Sequence, residues 1–361
     1  MNAPHSSRLL VAALAATILA AAASPGAGGG SAPEPTREEL ASVDASLETV
    51  RDVCARTLGT LLAELRRRYP GIDARTSGGR SKRNDYRNYQ WISVKFGDRE
   101  YLLSALHGNL DVRTGNPHAQ LGRIQFWRCA GPHGPHTRDE GGVWRFRADH
   151  EDRTLPAIRV WDDDFSSARV VDLFVAFLVA NGEGEALAAL AAGADPDAAP
   201  VEDLPSAERR RVDEALENVR AVEAKARSAI ARELRTRHPD WKVREAHGNS
   251  RTNDYRAYQW IVVGVGGASY FVSLCYNDQD PATGNLHSQY GRIQFWSEIH
   301  HETDPRNEAG PHTRDEGGWR FRSDRQWDGL PRLHLWSPEY SSARVADLFE
   351  AFLRETREPP R

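Results

Sequence analysis

The sequence predicts an α+β protein: a helix, an antiparallel sheet and a second helix, written twice in tandem, with the helices on one face of each sheet. Three observations carry this. The chain matches itself when shifted by 169: 31 of the 63 positions from Leu65 to Trp127 equal their partners in Leu234 to Trp296. Apolar residues at three- and four-residue spacing open and close each copy. Between them lie short runs with a two-residue alternation, separated by Gly-containing turns.

Before the first copy, residues 1–23 read as a signal peptide. Arg8 precedes an apolar and small-residue run from Leu9 to Ala23, broken only by Thr17, and Ala21-Ala22-Ala23 supplies the small residues a signal peptidase needs. At ~1.5 Å per residue the run falls short of a ~30 Å hydrocarbon core, so cleavage is expected over retention as an anchor. Residues 24–35, rich in Gly, Ala, Pro and Ser, form a flexible tether.

Repeat 1 spans residues 36–180. Val43, Leu47, Val50, Val53, Leu61 and Leu65 mark one helix face, ended by Pro70. Strand-like runs follow at Trp91–Phe96, Tyr101–Leu106, Gly122–Trp127, Trp144–Arg147 and Ile158–Trp161, with Gly97-Asp98 as a hairpin turn. Ser166 or Ser167 caps a closing helix whose inner face is Val170, Leu173, Phe174 and Phe177. Residues 181–205 hold six acidic and no basic residues among Ala, Gly and Pro, and read as a linker. Repeat 2 spans residues 206–361. Ser206 is its expected N-cap, Val212, Leu216, Val219, Val222, Ala226, Ile230 and Leu234 its first helix face, Gly266-Gly267 its hairpin turn. Val345, Leu348, Phe349 and Phe352 form its last helix face.

The composition excludes several classes. With 47 basic and 51 acidic side chains the formal net charge is −4, and neither repeat is basic overall, so nucleic acid is not a favoured partner. A mean hydropathy of −0.61 excludes a polytopic membrane protein, and no membrane span is expected in the mature chain. Three Cys are too few for a dense disulfide scaffold. Cys54 and Cys129 both become Glu in repeat 2 (Glu223 and Glu298), so a Cys54–Cys129 disulfide is one expectation. Cys275 matches Leu106 and reads as a buried thiol.

The strand alternation divides each sheet into two faces. Ile124 and Phe126 point one way, Arg123, Gln125 and Trp127 the other. The aliphatic face is expected to meet the helices, leaving an outward face of Arg, Gln and Trp, residue types that offer flat apolar surface and a planar hydrogen-bonding fork. With the flanking loops this proposes ligand-binding residues Trp91, Arg123, Gln125, Trp127, His136 and Arg138 in repeat 1, and Trp260, Arg292, Gln294, Trp296, His312 and Arg314 in repeat 2. The competing readings are packing of the two faces on each other and an ordinary Arg-on-Trp surface.

Three polar loops also stay nearly unchanged between copies: Asn84-Asp85-Tyr86-Arg87 with Tyr89-Gln90, Thr114-Gly115-Asn116 with His118 and Gln120, and His136 to Gly142. They serve either a ligand or a buried polar network of Arg87 or Arg138 with Asp85 or Asp139. No HExxH or CxxC spacing is present; no metal and no cofactor is favoured, His118, His136, Asp139, His287, His312 and Asp315 being only weak metal candidates.

These features favour an exported, secreted or periplasmic binding protein that takes a glycan, cell-wall polymer or peptide on the Arg/Gln/Trp face. The alternatives are a secreted hydrolase, metal-dependent or not, using His118, His136 and Asp139, and a structural envelope protein whose repeats bury each other's faces.

Overall fold

The helical rhythm of repeat 1 closes into α1 (Arg37–Arg68), which buries Leu40, Val43, Leu47, Val50, Val53, Cys54, Leu58, Leu61 and Leu65 along one stripe. A capping box starts it: Thr36 Oγ1 accepts from the Glu39 N–H at 3.1 Å, and Glu39 Oε2 accepts from the Thr36 N–H at 2.7 Å. The matching helix of repeat 2, α4 (Ser206–Arg237), buries Val212, Leu216, Val219, Val222, Ala226, Ile230 and Leu234. Its expected cap is corrected: Pro205 holds the N-cap position, and Ser206 is the first helical residue.

The structure is a computed structural model that describes residues 33–78, 90–110, 117–129, 136–138, 144–146, 148–151, 158–247, 259–279, 286–297, 312–315, 318–321 and 333–357. The expected leader and most of the tether lie outside them.

Repeat 1 carries β1 (Asp73–Gly78), β2 (Gln90–Phe96), β3 (Arg99–Leu110), β4 (Pro117–Cys129), β5 (His136–Arg138), β6 (Trp144–Phe146) and β7 (Ala148–Glu151). The antiparallel sheet has the order β1-β2-β3-β4-β7. Repeat 2 carries β8 (Lys242–His247), β9 (Gln259–Val265), β10 (Ala268–Gln279), β11 (Leu286–Ser297), β12 (His312–Asp315) and β13 (Gly318–Phe321), with the order β11-β10-β9-β8. The hairpins turn at Gly97 and at Gly266-Gly267, all at positive φ, as their spacing predicts. β5 pairs with β6 and β12 with β13, so the His-Thr-Arg segments read as loops are short strands.

The closing helices are α2 (Ser167–Ala180) and α5 (Ser342–Arg357). Ser166 and Ser341 cap them through the N–H groups of Arg169 and Arg344. Helices cover one face of each sheet, and the same aromatic contacts recur there. Phe126 meets Phe174 edge-on at 5.0 Å and Phe295 meets Phe349 at 5.3 Å; Tyr101–Phe177 and Tyr270–Phe352 both stand at 6.0 Å. The fold is therefore α+β, a tandem helix–antiparallel sheet–helix duplicate. No described helix is long and apolar enough to cross a membrane.

The segment read as a linker is partly ordered structure. It holds α3 (Gly184–Ala191), whose Leu187 is buried, and Glu183 is buried beneath Tyr101 and Arg99, accepting from them at 2.6 and 2.8 Å. One cluster of buried apolar residues runs from Leu40 of repeat 1 to Leu353 of repeat 2. Residues 34–361 form one unit, with α1 and α4 packed along each other.

Candidate functional site

Each sheet carries on its second face a cross-strand row of identical composition. In repeat 1 Trp91, Ser104 and Gln125 stand opposite one another; in repeat 2 Trp260, Ser273 and Gln294 do. The parity is the expected one: Ile92, Leu103, Ile124 and Phe126 face the helices, and Trp91, Ser104, Gln125 and Trp127 face away.

The outward exposure expected of this face is corrected. Trp91 is 7% exposed, Gln125 1%, Trp127 2%, Trp260 1% and Gln294 0%. Strand β4 lies against β10, and β3 against β11, so the second sheet is part of what covers the first. The buried set includes Leu102 and Phe271, and Trp127 donates its indole N–H to Ser104 Oγ at 3.2 Å. Sealing the indoles removes apolar area from water, and the Trp127–Ser104 hydrogen bond ties β4 to β3 within the buried layer. The amide of Gln294 has no hydrogen-bond partner among the described residues.

Arg123 and Arg292, two residues along from the buried glutamines, are half-buried. They sit in a bulge. Ser104 pairs with Gln125 and Leu106 with Leu121, so Gly122, Arg123 and Ile124 lie opposite Ala105 alone. Their backbone turns instead to the segment after β7: Ile124 N–H donates to Ile158 O at 2.8 Å, and Val160 N–H to Gly122 O at 2.7 Å. Repeat 2 repeats this with Ile293–Leu333 and Leu335–Gly291 at 2.9 and 2.8 Å. The expected strand Ile158–Trp161 is thus a single bridge filling the bulge, followed by a turn. Arg159 lies over the Trp161 ring at 5.9 Å; in repeat 2, His334 stacks on Trp336 at 4.6 Å.

The bulge glycine has a side-chain partner from the long helix. Glu223 Oε1, fully buried, accepts from Gly291 N–H at 2.8 Å. In repeat 1 the Cys54 sulfur stands beside Gly122 N–H, and burial pushes its thiol up to about 12. Cys54 is a free thiol, which corrects the disulfide expectation. Cys129 lies seven residues beyond Gly122 along β4, about 20 Å of strand, whereas a disulfide needs Cα atoms within ~7 Å.

The side chains of His118, His136, Arg138, Asp139, His287, Trp296, His312, Arg314 and Asp315 lie outside the described residues, so the metal candidates are not placed. Among the described residues no cluster of His, Cys, Asp or Glu could hold a metal ion. The register does place the strand ends from which two of the three polar loops depart. Gly78 pairs with Gln90, and Leu110 with Pro117, at one end of the first sheet; His247 with Gln259, and Gln279 with Leu286, at the same end of the second. Sequence reasoning missed the buried Glu183 and Arg209. Both lie in or beside the acidic segment read as a linker, and no periodicity marks them.

No family model, no curated protein and no solved structure matches this chain.

Proposed function

We propose that the protein is an exported interaction protein, secreted or periplasmic, that takes a glycan, cell-wall polymer or peptide at one end of each of its two sheets. One observation carries the reading. The strand ends flanking the segments 79–89 and 111–116 come together at one end of the first sheet, and those flanking 248–258 and 280–285 do so in the second. These segments, with the first residues of β4 and β11, hold the polar residues written twice: Asn84-Asp85-Tyr86-Arg87 and Asn253-Asp254-Tyr255-Arg256, His118 and His287. Polar residues repeated between the ends of paired strands are the usual makings of a recognition surface. The Trp–Ser–Gln rows then act as the support beneath it.

The test compares two double variants with the parent protein. Arg87→Ala with Arg256→Ala, and His118→Ala with His287→Ala, are expected to lose retention on cell-wall and polysaccharide fractions while keeping the parent circular-dichroism spectrum. Parent-like retention by both folded variants sinks the reading. The sealing of Trp91, Gln125, Trp127, Trp260 and Gln294 favours a second, structural reading, in which the repeats bury each other and no ligand is taken. It predicts that the parent protein itself is not retained on any of these fractions.

A further inference from the structure

The contacts between the repeats come in reciprocal pairs. Lys225 of α4 donates to Glu39 of α1 at 2.7 Å; Arg56 of α1 pairs with Glu208 of α4. Because 39 and 208, and 56 and 225, are the same positions of the repeat, these are one ion pair seen twice. The helix caps behave alike. Asp203, just before α4, accepts from the Ser167 N–H that opens α2, at 3.0 Å; Glu34, just before α1, accepts from the Ser342 N–H that opens α5, at 2.7 Å. Each acid caps the closing helix of the other repeat, and Glu34 and Asp203 are equivalent positions. From positions that are not equivalent, Arg37 reaches the Ser337 and Pro338 carbonyls, and Arg209 and Arg210 reach Asp162 and Asp163, the corresponding segment of the other repeat. Strand contacts follow the same rule, β4 on β10 and β3 on β11. By contrast, the far end of each long helix stays at home: Arg68 pairs with Asp172, and Arg237 with Asp347 at 2.6 Å.

Every repeat therefore carries both halves of the interface. Repeat 1 with the end of the tether before it has Glu34, Glu39, Arg56 and Ser167; repeat 2 with the end of the linker before it has Asp203, Glu208, Lys225 and Ser342. Such a surface is isologous, the kind that closes a two-fold pair. We propose that it accepts a second copy of this chain, two chains pairing by exchanging repeats: repeat 1 of one chain seats on repeat 2 of the other, and the reverse. The contacts are those already made within one chain, so exchange needs no new complementarity. Two one-sided contacts set which repeats meet. Arg209 donates to Val160 O at 2.5 Å, where repeat 1 has Leu40, and Asn218 donates to Ser42 and Ser46 hydroxyls at 2.8 and 2.9 Å, where repeat 1 has Thr49. They favour pairing of repeat 1 with repeat 2 over like with like.

The experiment uses full-length chains with two different C-terminal tags, mixed at high concentration, unfolded in urea and refolded together. A fraction of two-chain mass in which one tag captures the other is expected; refolded protein that is wholly of one-chain mass, with no co-capture, overturns the proposal. Two charge variants sharpen it. One carries Glu39→Lys with Glu208→Lys, the other Arg56→Glu with Lys225→Glu. Each repels itself at both ion pairs, whereas an exchanged pair of the two restores all four. Co-refolding them is expected to raise the co-captured fraction several-fold over either variant refolded alone. Equal fractions count against exchange through this surface, and the wild-type experiment decides even where a variant fails to fold.

Discussion

Trp336 closes over Gly291: a Cβ on that glycine would come within 2.5 Å of ring carbon Cζ3, and the backbone there sits at φ +63°. Trp161 and Gly122 stand in the same relation, at φ +71°. Strain and clash act together, so Gly291→Ala is expected to cost about 2–4 kcal/mol. The two terms separate in a double-mutant cycle with Trp336→Ala: the clash vanishes, the φ penalty stays, and the combined loss falls short of the sum. Thermal denaturation followed by circular dichroism reads this out; strict additivity would falsify the contact.

Arg209 is 5% exposed, donates to three carbonyls (Val160, Asp162 and Leu204) and lies 4.7 Å over the Phe165 ring. Removing it strands buried acceptors and loses a desolvated cation–π contact. Arg209→Ala is expected to lower stability by about 2–3 kcal/mol in urea. Arg209→Lys, which lacks the planar fork, should recover less than half of that. By contrast, Arg210→Ala, whose pair with Asp163 is exposed, should change stability by under about 0.5 kcal/mol.

Acid should weaken the fold through Glu64. Its carboxylate is buried and accepts from Arg67 at 2.8 Å and from Arg68 at 2.6 Å, and the Arg67 hydrogen bonds first of all hold it down at about 2. The native value lies below the unfolded one, near 4.5. The contribution is therefore complete above about pH 4.5 and is lost as pH falls toward 2. Stability of the parent measured at pH 5 and pH 3 should drop more than that of Glu64→Gln. Parallel losses would remove Glu64 from the acid response.

Cys54 should be silent in the native protein. A fully buried thiol held near 12 offers almost no thiolate at pH 8. Iodoacetamide is expected to leave it unmodified in the folded chain and to alkylate it once urea is added, without reductant. Mass spectrometry of peptides containing Cys54 decides the point, and a peptide that needs reductant before it alkylates would restore the disulfide.

Much of the framework was legible in the residues. Apolar spacing gave both long helices to within a few residues of their ends, because a stripe that must be buried repeats with the helical turn. The capping box of Thr36 and Glu39 was present but unread. The strands β1 and β8 went unseen since Asp73–Gly78 and Lys242–His247 offer little apolar alternation; they are edge strands with one side open to polar groups. The helix α3 is not legible because Gly184–Ala191 sits in an acidic Ala-rich stretch, and tertiary contacts, among them the packing of Leu187 and Leu190 on the core, hold it in place.

The sequence by itself determined the duplication, the helix–sheet–helix order and the side of each strand to which Ile124, Phe126, Gln125 and Trp127 belong, for these follow from periodicity along one backbone. The tertiary structure decided what covers each side. Trp91 and Gln125 are buried, and Asp203 and Glu34 cap each other's repeats, because burial is a property of two surfaces meeting, and here part of the covering surface lies one repeat away, about 170 residues along the chain.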